Sequence, residues 1–280
     1  MINYLNRILF TTLFLITCSG FAQKKVKDTT KTWDLVKYDF NASLRGVGNA
    51  FTQPLRWKKK DALTFAGIAA GSAILYSFDE QSADFFTQQA EDVPIGIREF
   101  GRYLGNPQNN YAISAGIYGI GLLTKNEKMR KTGVLLVASG FTVGLISSMA
   151  KTAIGRARPG TEFGKDVFKP FSKEGAFHSM PSGHAALVVT TAHVIAKQFE
   201  SLGIKILIYS LGAITPISRL WSADHWLTDI VLGSVLSIVV VDGIDNFLFK
   251  EKLYDYPEGK KKISWNLKLG AGQLGVVGTF

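Results

Sequence analysis

The feature that most constrains this chain is a series of six hydrophobic stretches separated by polar connections. They cover residues 62–78, 111–123, 132–150, 183–199, 204–217 and 226–249. Several of them are rich in Gly, Ala and Ser, which allow helices to approach one another closely. Because 46% of the 280 residues are hydrophobic, the series predicts an all-α fold, a bundle of six helices.

Basic residues lie on alternate connections of this predicted bundle. They precede the first helix and recur after the second, the fourth and the sixth. Because lysine and arginine favour the cytoplasmic side of a membrane, the pattern predicts a six-pass, membrane-embedded bundle whose connections 79–110, 151–182 and 218–225 face outward. Most stretches are shorter than the roughly 20 apolar residues of a clean span, so helices enclosed by protein remain an alternative.

The N-terminus is typical of a secretory signal, with Arg7 ahead of an apolar core and Gly20-Phe21-Ala22 as a cleavage pattern. Cleavage would place the start of the mature chain outside the cytoplasm. This conflicts with the orientation that the basic connections predict, and an uncleaved N-terminal anchor is the alternative. The predicted organisation is a signal at 1–22, a polar segment with an amphipathic helix at 23–60, the bundle domain at 61–250 and a tail at 251–280.

Two further regions mix apolar and polar residues. Short helices lying over the mouth of the bundle are predicted for 79–110. The tail alternates loosely between apolar and polar residues, and glycines flank Ala271. A small β-hairpin is therefore predicted there.

The net charge of +10 favours anionic partners. The sequence contains no nucleic-acid motif, and its basic residues lie between hydrophobic runs, so a membrane or a phosphorylated substrate is the better prediction.

The single cysteine, Cys18, leaves no partner for an intramolecular disulfide. The four histidines lack the spacing of a zinc motif, so no metal site is predicted.

His225 and Asp229 form the first candidate site. They are four residues apart and are predicted to share one face of a long helix. The carboxylate would then hold one imidazole nitrogen and leave the other as a base or a nucleophile. Arg219 lies just upstream and offers a planar cation suited to an oxyanion. A histidine capped by a salt bridge at a helix start is the structural alternative.

Two other polar clusters stand at predicted helix ends. The third helix ends with Lys151, Arg156 and Arg158, cations that also complement a helix dipole. The fourth helix begins at Pro181-Ser182-Gly183-His184. Its N–H groups, the serine hydroxyl and the glycine backbone would suit a phosphate, and an ordinary serine N-cap is the alternative.

In chain order these segments read Lys-x6-Arg-Pro, Pro-Ser-Gly-His and Ser-Arg-x5-His-x3-Asp, over residues 151–229. The pattern strongly resembles the type 2 phosphatidic acid phosphatase superfamily, which also includes bacterial acid phosphatases and vanadium haloperoxidases. The resemblance implies a helical bundle over residues 60–250. Met180 stands where many relatives carry an aromatic residue, and Asp224 is a local variation. Neither is expected to alter a reacting group.

The resemblance implies a role for each motif residue. His225 is implied as the nucleophile that forms a phosphohistidine, Asp229 as the group that holds its ring, and His184 as the acid and then the base. The implied phosphate ligands, which neutralise the phosphoryl charge without a metal or another cofactor, are Lys151, Arg158, Ser182, Gly183 and Arg219. Arg156 is expected to be peripheral, and His178 and His193 are expected to be structural.

Four functions stay open. The first is a phosphatase of a membrane lipid (phosphatidic acid, phosphatidylglycerol phosphate, undecaprenyl diphosphate or lipid A) in the inner membrane of a bacterial envelope, with its site facing the periplasm. The second is a soluble periplasmic phosphatase of broad specificity. The third is a haloperoxidase in which His225 ligates vanadate. The fourth is a non-catalytic lipid-binding relative, against which the complete set of reacting groups argues. No oligomeric state is predicted.

Overall fold

The structure, a computed structural model, describes residues 31–251 and 253–255 and the backbone of two strands nearer the C-terminus. The predicted signal at 1–22 lies outside the described residues. Nine α-helices form most of the described chain. They are α1 (Thr32–Thr52), α2 (Lys59–Ser77), α3 (Asp79–Asp92), α4 (Ile95–Leu104), α5 (Pro107–Leu123), α6 (Glu127–Ile154), α7 (Gly183–Ala196), α8 (Leu202–Trp221) and α9 (Leu227–Asp245). Short helical turns cover Gln53–Arg56, Gly175–Phe177 and Asn246–Lys250.

The predicted count of six helices is wrong, although each of the six hydrophobic stretches overlaps a helix. The additional helices are α1, α3 and α4. Each of these buries one face and carries polar residues on the other, so none produces a continuous apolar run. The amphipathic helix predicted within 23–60 corresponds to α1, and the short helices predicted within 79–110 correspond to α3 and α4.

Within the described residues, two helices are long and apolar enough to cross a membrane, α6 and the segment Leu227–Lys250. The helices α2 and α3 would together make a third, but they are bent by 61° at their junction. The apolar helices indicate a membrane protein, whereas the predicted six passes are not supported. The 14 residues of α7, for example, extend about 21 Å, which is less than the roughly 30 Å hydrocarbon core.

The main core lies between α6, α7 and α9, with α1 and α5 packed around them. Its fully buried side chains include Leu135, Val194, Val241 and Ile244. Helix α9 passes close to the start of α7: a Cβ added at Gly233 would lie 2.6 Å from the carbonyl oxygen of Ser182. This close approach holds the first turns of α7 and α9 side by side.

A buried ion pair ties α1 to α6 near the start of α6. The carboxylate of Asp39 accepts hydrogen bonds from Nε and Nη2 of Arg130 at 2.9 and 3.1 Å. It also accepts from the hydroxyls of Tyr118, at 3.1 Å, and Tyr254. The network therefore joins α1, α5, α6 and the segment that follows α9.

Two strands, β1 (Ser264–Gly270) and β2 (Gln273–Thr279), pair antiparallel, with Ser264 opposite Thr279 and Gly270 opposite Gln273. They lie in the tail for which a hairpin was predicted. Residues 271–272 and the side chains of both strands lie outside the described residues. Beyond this backbone pairing, the hairpin stays a prediction.

Candidate active site

The predicted site residues lie at the ends of four helices. Lys151 stands in the last turn of α6, Ser182 is the N-cap of α7, and Gly183 and His184 begin that helix. Arg219 stands in the last turn of α8, and Asp229 in the first turn of α9. Arg158 follows α6, and His225 lies between α8 and α9.

Short contacts bring these helix ends together. The backbone N–H of Ser182 donates to the carbonyl of Asp229 at 2.9 Å. The ammonium of Lys151 donates to the carbonyl of His178 at 2.6 Å, and a Cβ added at Gly183 would lie 3.6 Å from Cε of Lys151. Residues that are far apart in the sequence therefore meet at one end of the bundle.

His225 and Asp229 are neighbours, but they do not share a helix face as predicted. Helix α9 begins at Leu227, so His225 belongs to the preceding connection. The carboxylate of Asp229 turns back and accepts the N–H of Trp226 at 3.0 Å, which caps the helix. The distance from Nδ1 of His225 to Oδ2 of Asp229 is 3.8 Å, too long for a direct hydrogen bond.

Ser179 lies between these two side chains and was not identified from the sequence. Its hydroxyl donates to Oδ2 of Asp229, and its oxygen is 3.5 Å from Nδ1 of His225. All three side chains are buried. Ser179 stands three residues before Ser182 in an irregular segment, so helical spacing could not have indicated it.

Arg156 was expected to be peripheral, and that expectation is wrong. The side chain is fully buried, with Nη1 2.9 Å from Oδ1 of Asp229 and Nη2 2.7 Å from Oδ2 of Asp79. Its guanidinium lies over the rings of Tyr76 and Trp226, at 4.6 and 5.3 Å. Helix α6 ends at Ile154, its C-cap Gly155 has a left-handed conformation, and the chain then turns Arg156 inward.

Asp224 connects two of the implied phosphate ligands. Its Oδ1 lies 3.4 Å from Nη1 of Arg158, and its Oδ2 lies 3.0 Å from Nη1 of Arg219. The hydroxyl of Ser222 also donates to Oδ2, at 2.7 Å. Asp224, which is a local variation on the family pattern, is therefore an acidic group in contact with both arginines.

Both histidines of the motifs are neutral at pH 7. Burial lowers the pKa of His225 to about 4, although the neighbouring carboxylate of Asp229 opposes the change. Burial also lowers the pKa of His184 to about 4, and the positive charges of Arg219 and Lys151 act in the same direction. In the part of the chain that the structure describes, the His184 ring has no hydrogen-bond partner.

A family model described as the PAP2 superfamily matches residues 132–251. That range contains every site residue predicted from the sequence. Residues 132–251 are a PAP2 superfamily domain.

Three proteins that are similar to this chain are named lipid A 1-phosphatase. The protein of Rhizobium etli is 26% identical over 200 residues, or 64% of this chain and 80% of that protein. The protein of Rhizobium johnstonii is 33% identical over 98 residues, 33% of this chain and 39% of that protein. The protein of Porphyromonas gingivalis is 26% identical over 145 residues, 48% of this chain and 29% of that protein. The chain thus spans most of the first relative and under half of the other two. No solved structure matches it significantly.

One site contact comes from outside the matched PAP2 range. Asp79, the first residue of α3, is fully buried. Its carboxylate binds Arg156 and accepts the N–H and the hydroxyl of Thr228, at 2.9 Å each. The junction of α2 and α3 is therefore fixed to the start of α9. No motif in the sequence indicates this role.

The rings of the other two histidines contact groups outside the PAP2 motifs. Nε2 of His178 lies 2.8 Å from the carbonyl of Ser172. The two ring nitrogens of His193 lie 2.7 Å from the hydroxyl of Tyr209 and 3.2 Å from Asp242. Among the described residues, no three histidine, cysteine, aspartate or glutamate side chains are grouped so that they could hold a metal ion.

Proposed function

We propose that this PAP2 protein is a phosphatase that releases phosphate from a membrane lipid through a phosphohistidine intermediate, without a metal. The observation that carries the proposal is the grouping of two neutral histidines, His225 and His184, with three cations at one end of the bundle. Neutral imidazoles provide a nucleophile and a base, and fixed cations stabilise a phosphoryl group as it is transferred.

In the first step, Nε2 of His225 attacks phosphorus as the bond from phosphorus to the ester oxygen breaks. Nδ1–H of His225 is directed at the Ser179 oxygen, and the Ser179 hydroxyl is hydrogen-bonded to Asp229. The lone pair of Nε2 is therefore available for attack. The carboxylate of Asp229 compensates the positive charge that develops on the ring. His184 protonates the departing oxygen. A phosphate dianion beside His184 raises its pKa, so the imidazole takes up a proton from solvent when the substrate binds and can then act as the acid.

In the second step, His184 accepts a proton from water, and the oxygen of that water attacks phosphorus. The nitrogen–phosphorus bond breaks, inorganic phosphate leaves, and His225 returns to its neutral form. The same histidine thus acts as acid in one step and as base in the next, as microscopic reversibility requires.

The phosphoryl oxygens are proposed to bind a phosphate cluster formed by Lys151, Arg158, Ser182, Gly183 and Arg219. The N-terminus of α7 leaves N–H groups without intrahelical acceptors. The Ser182 oxygen accepts the N–H of Ala185 at 3.4 Å, so its hydroxyl hydrogen can still be donated. Bonds from fixed cations and N–H groups strengthen as charge spreads over the transferring group.

A lipid substrate is favoured by the apolar helices and by the names of the three relatives. Among phosphorylated lipids, the 1-phosphate of lipid A is the first to test. The proposed location is the inner membrane of a bacterial envelope, with the phosphate cluster facing the periplasm.

The test is phosphate release by the purified protein, with EDTA present, from lipid A, phosphatidic acid, phosphatidylglycerol phosphate, undecaprenyl diphosphate and a soluble aryl phosphate. We expect release from a lipid, and loss of at least about a thousandfold in kcat for His225→Ala, because no nucleophile remains. His193→Ala is the matched control and is expected to retain activity.

Other outcomes assign other functions. Preference for the aryl phosphate would favour a soluble ester as substrate, and turnover that needs added vanadate and peroxide would indicate a haloperoxidase. Turnover by His225→Ala near that of the unaltered protein would refute the phosphohistidine mechanism. Quenching with alkaline detergent during turnover should trap a phosphoprotein that is stable in base and labile in acid, and that His225→Ala does not form.

A further inference from the structure

The acidic side chain beside the phosphate cluster has no part in the mechanism above. Asp224 holds the arginine pair, Arg158 and Arg219, through one carboxylate oxygen each. Its position is fixed, because its N–H donates to the carbonyl of Arg219 at 3.1 Å and Ser222 donates to its Oδ2. Ala223, just before it, has a φ of 50°, and its carbonyl accepts a hydrogen bond from the N–H of Gly160 at 2.8 Å.

The carboxylate is ionised at neutral pH. Burial raises the pKa of Asp224, but the Ser222 hydroxyl and the Arg219 guanidinium more than offset this, so the net pKa lies below the usual value. The arginine pair therefore faces a fixed negative charge on the side where the proposed function places phosphoryl oxygens. About 35% of the Asp224 side chain is exposed, so solvent screens this charge only in part.

We propose that Asp224 competes with phosphate for the arginine pair and thereby sets how weakly the site retains its product. The inference rests on the proposed function. Phosphate that binds between Lys151 and the arginines must share both guanidiniums with the Asp224 carboxylate. Lys151 and the two arginines carry three positive charges, and Asp224 reduces the net charge that attracts phosphate to two. A phosphatase gains from this, because phosphate that is held too tightly would slow the next turnover.

A carboxylate in this place could instead serve only to orient the arginines. The two roles predict opposite results when its charge is removed. If Asp224 competes, its neutral variant binds phosphate more tightly. If Asp224 orients the arginines, its neutral variant leaves them misplaced and binds phosphate more weakly.

The experiment compares the unaltered protein with Asp224→Asn and Asp224→Ser. Binding of inorganic phosphate is measured by calorimetry in detergent, and its inhibition constant is measured against the best substrate. We expect both constants to fall by about tenfold in each variant, as removal of one charge near a partly solvated anion allows. The KM of the substrate should fall in parallel, since its phosphate meets the same arginines.

Asp242→Asn is the matched control, because Asp242 is also a partly exposed carboxylate that pairs with a lysine and a histidine. It lies 13 residues beyond Asp229 on α9, which is about 20 Å along the helix, and it should leave both constants unchanged. Unchanged or weaker phosphate binding in both folded Asp224 variants would overturn the inference. Calorimetry does not need turnover, so phosphate binding without hydrolysis of any ester would refute the proposed function alone.

Discussion

At the scale of single residues, the site is built on charges that compensate one another in a buried place. Asp79 and Asp229 share the guanidinium of Arg156, which offsets part of the large cost of burying each charge alone. The motifs predicted which residues would touch a phosphate. They could not show that Arg156 and Asp79 hold Asp229 and the start of α9 in place. The two residues are 77 positions apart, and spacing along the chain does not show which side chains meet across the fold.

Arg156→Lys should lower kcat by about a hundredfold with KM almost unchanged. Lysine keeps the charge but cannot bond both carboxylates as the planar fork of arginine does, and a shift of about 1 Å in Asp229 would misdirect His225. The measurement is steady-state kinetics on the best substrate, corrected for the folded fraction.

Arg130→Lys provides the matched control for this arginine. Arg130 is also buried and pairs with an aspartate, but it stands at the start of α6 whereas Lys151 stands near its end. Its substitution should lower stability and leave kcat intact. Equal losses of kcat in the two variants would show that any buried arginine has this effect.

The stability of the protein should fall as pH decreases from about 6.5 to about 4. An unfolded histidine has a pKa near 6.5, whereas the pKa of His184 and of His225 in the folded protein is about 4. The unfolded chain therefore binds more protons in this window, and each histidine lowers the free energy of unfolding by at most about 1.4 kcal/mol per pH unit.

Unfolding midpoints measured between pH 7.5 and pH 4 test this expectation. His184→Asn and His225→Asn should each reduce the dependence on pH, because each removes one group that gains a proton on unfolding. A dependence that is the same in the unaltered protein and in both variants would contradict the buried, neutral histidines.

At the scale of helices, the site depends on where each helix begins and ends. The apolar runs predicted the helices of the PAP2 domain, and Ser182 could be predicted as an N-cap. The interpretation of His225 and Asp229 as one helix face was wrong, because α9 begins at Leu227, two residues after His225, and Asp229 caps it. Hydrophobic periodicity continues smoothly through such a boundary, so only the cap geometry reveals it.

Gly155→Ala should destabilise the protein by more than about 1 kcal/mol and reduce activity. Gly155 has a φ of 63°, and an added Cβ would lie 2.0 Å from the carbonyl oxygen of Lys169. The backbone that leads into Arg156 would have to move. Thermal unfolding and kcat are the measurements.

Gly164→Ala is the comparison for this glycine, because an added Cβ there meets nothing within 4 Å. It should leave both the unfolding temperature and kcat almost unchanged. Tolerance of alanine at Gly155 would mean that the end of α6 is not held as described.

At the scale of the whole molecule, one end of α6 contributes to the candidate site and the other end is joined to α1. One end carries Lys151 of the site, and the other carries the ion pair of Arg130 with Asp39. A mainly helical membrane protein was predictable from composition and apolar runs. The number of passes was not, because charge on connections and apolar length do not distinguish a span from a short helix enclosed by its neighbours.

Asp39→Asn should destabilise the protein by about 3–5 kcal/mol, because it leaves the charge of Arg130 buried without its carboxylate. Tyr118→Phe removes only one hydrogen bond to Asp39 and should cost about 1 kcal/mol. Both variants should keep the kcat of the folded fraction, which is measured beside the unfolding midpoint. A fall in kcat as large as that of Arg156→Lys would show that the two ends of α6 are coupled.

The sharing of Arg156 between Asp79 and Asp229 also has a consequence for biosynthesis. The three residues leave the ribosome in the order 79, 156, 229, and the last belongs to the final helix of the PAP2 domain. Until that helix is made, Arg156 lacks one of the two carboxylates that it binds in the folded protein. The proposed site can therefore assemble only late in synthesis, and we expect a chain that stops before residue 229 to be inactive.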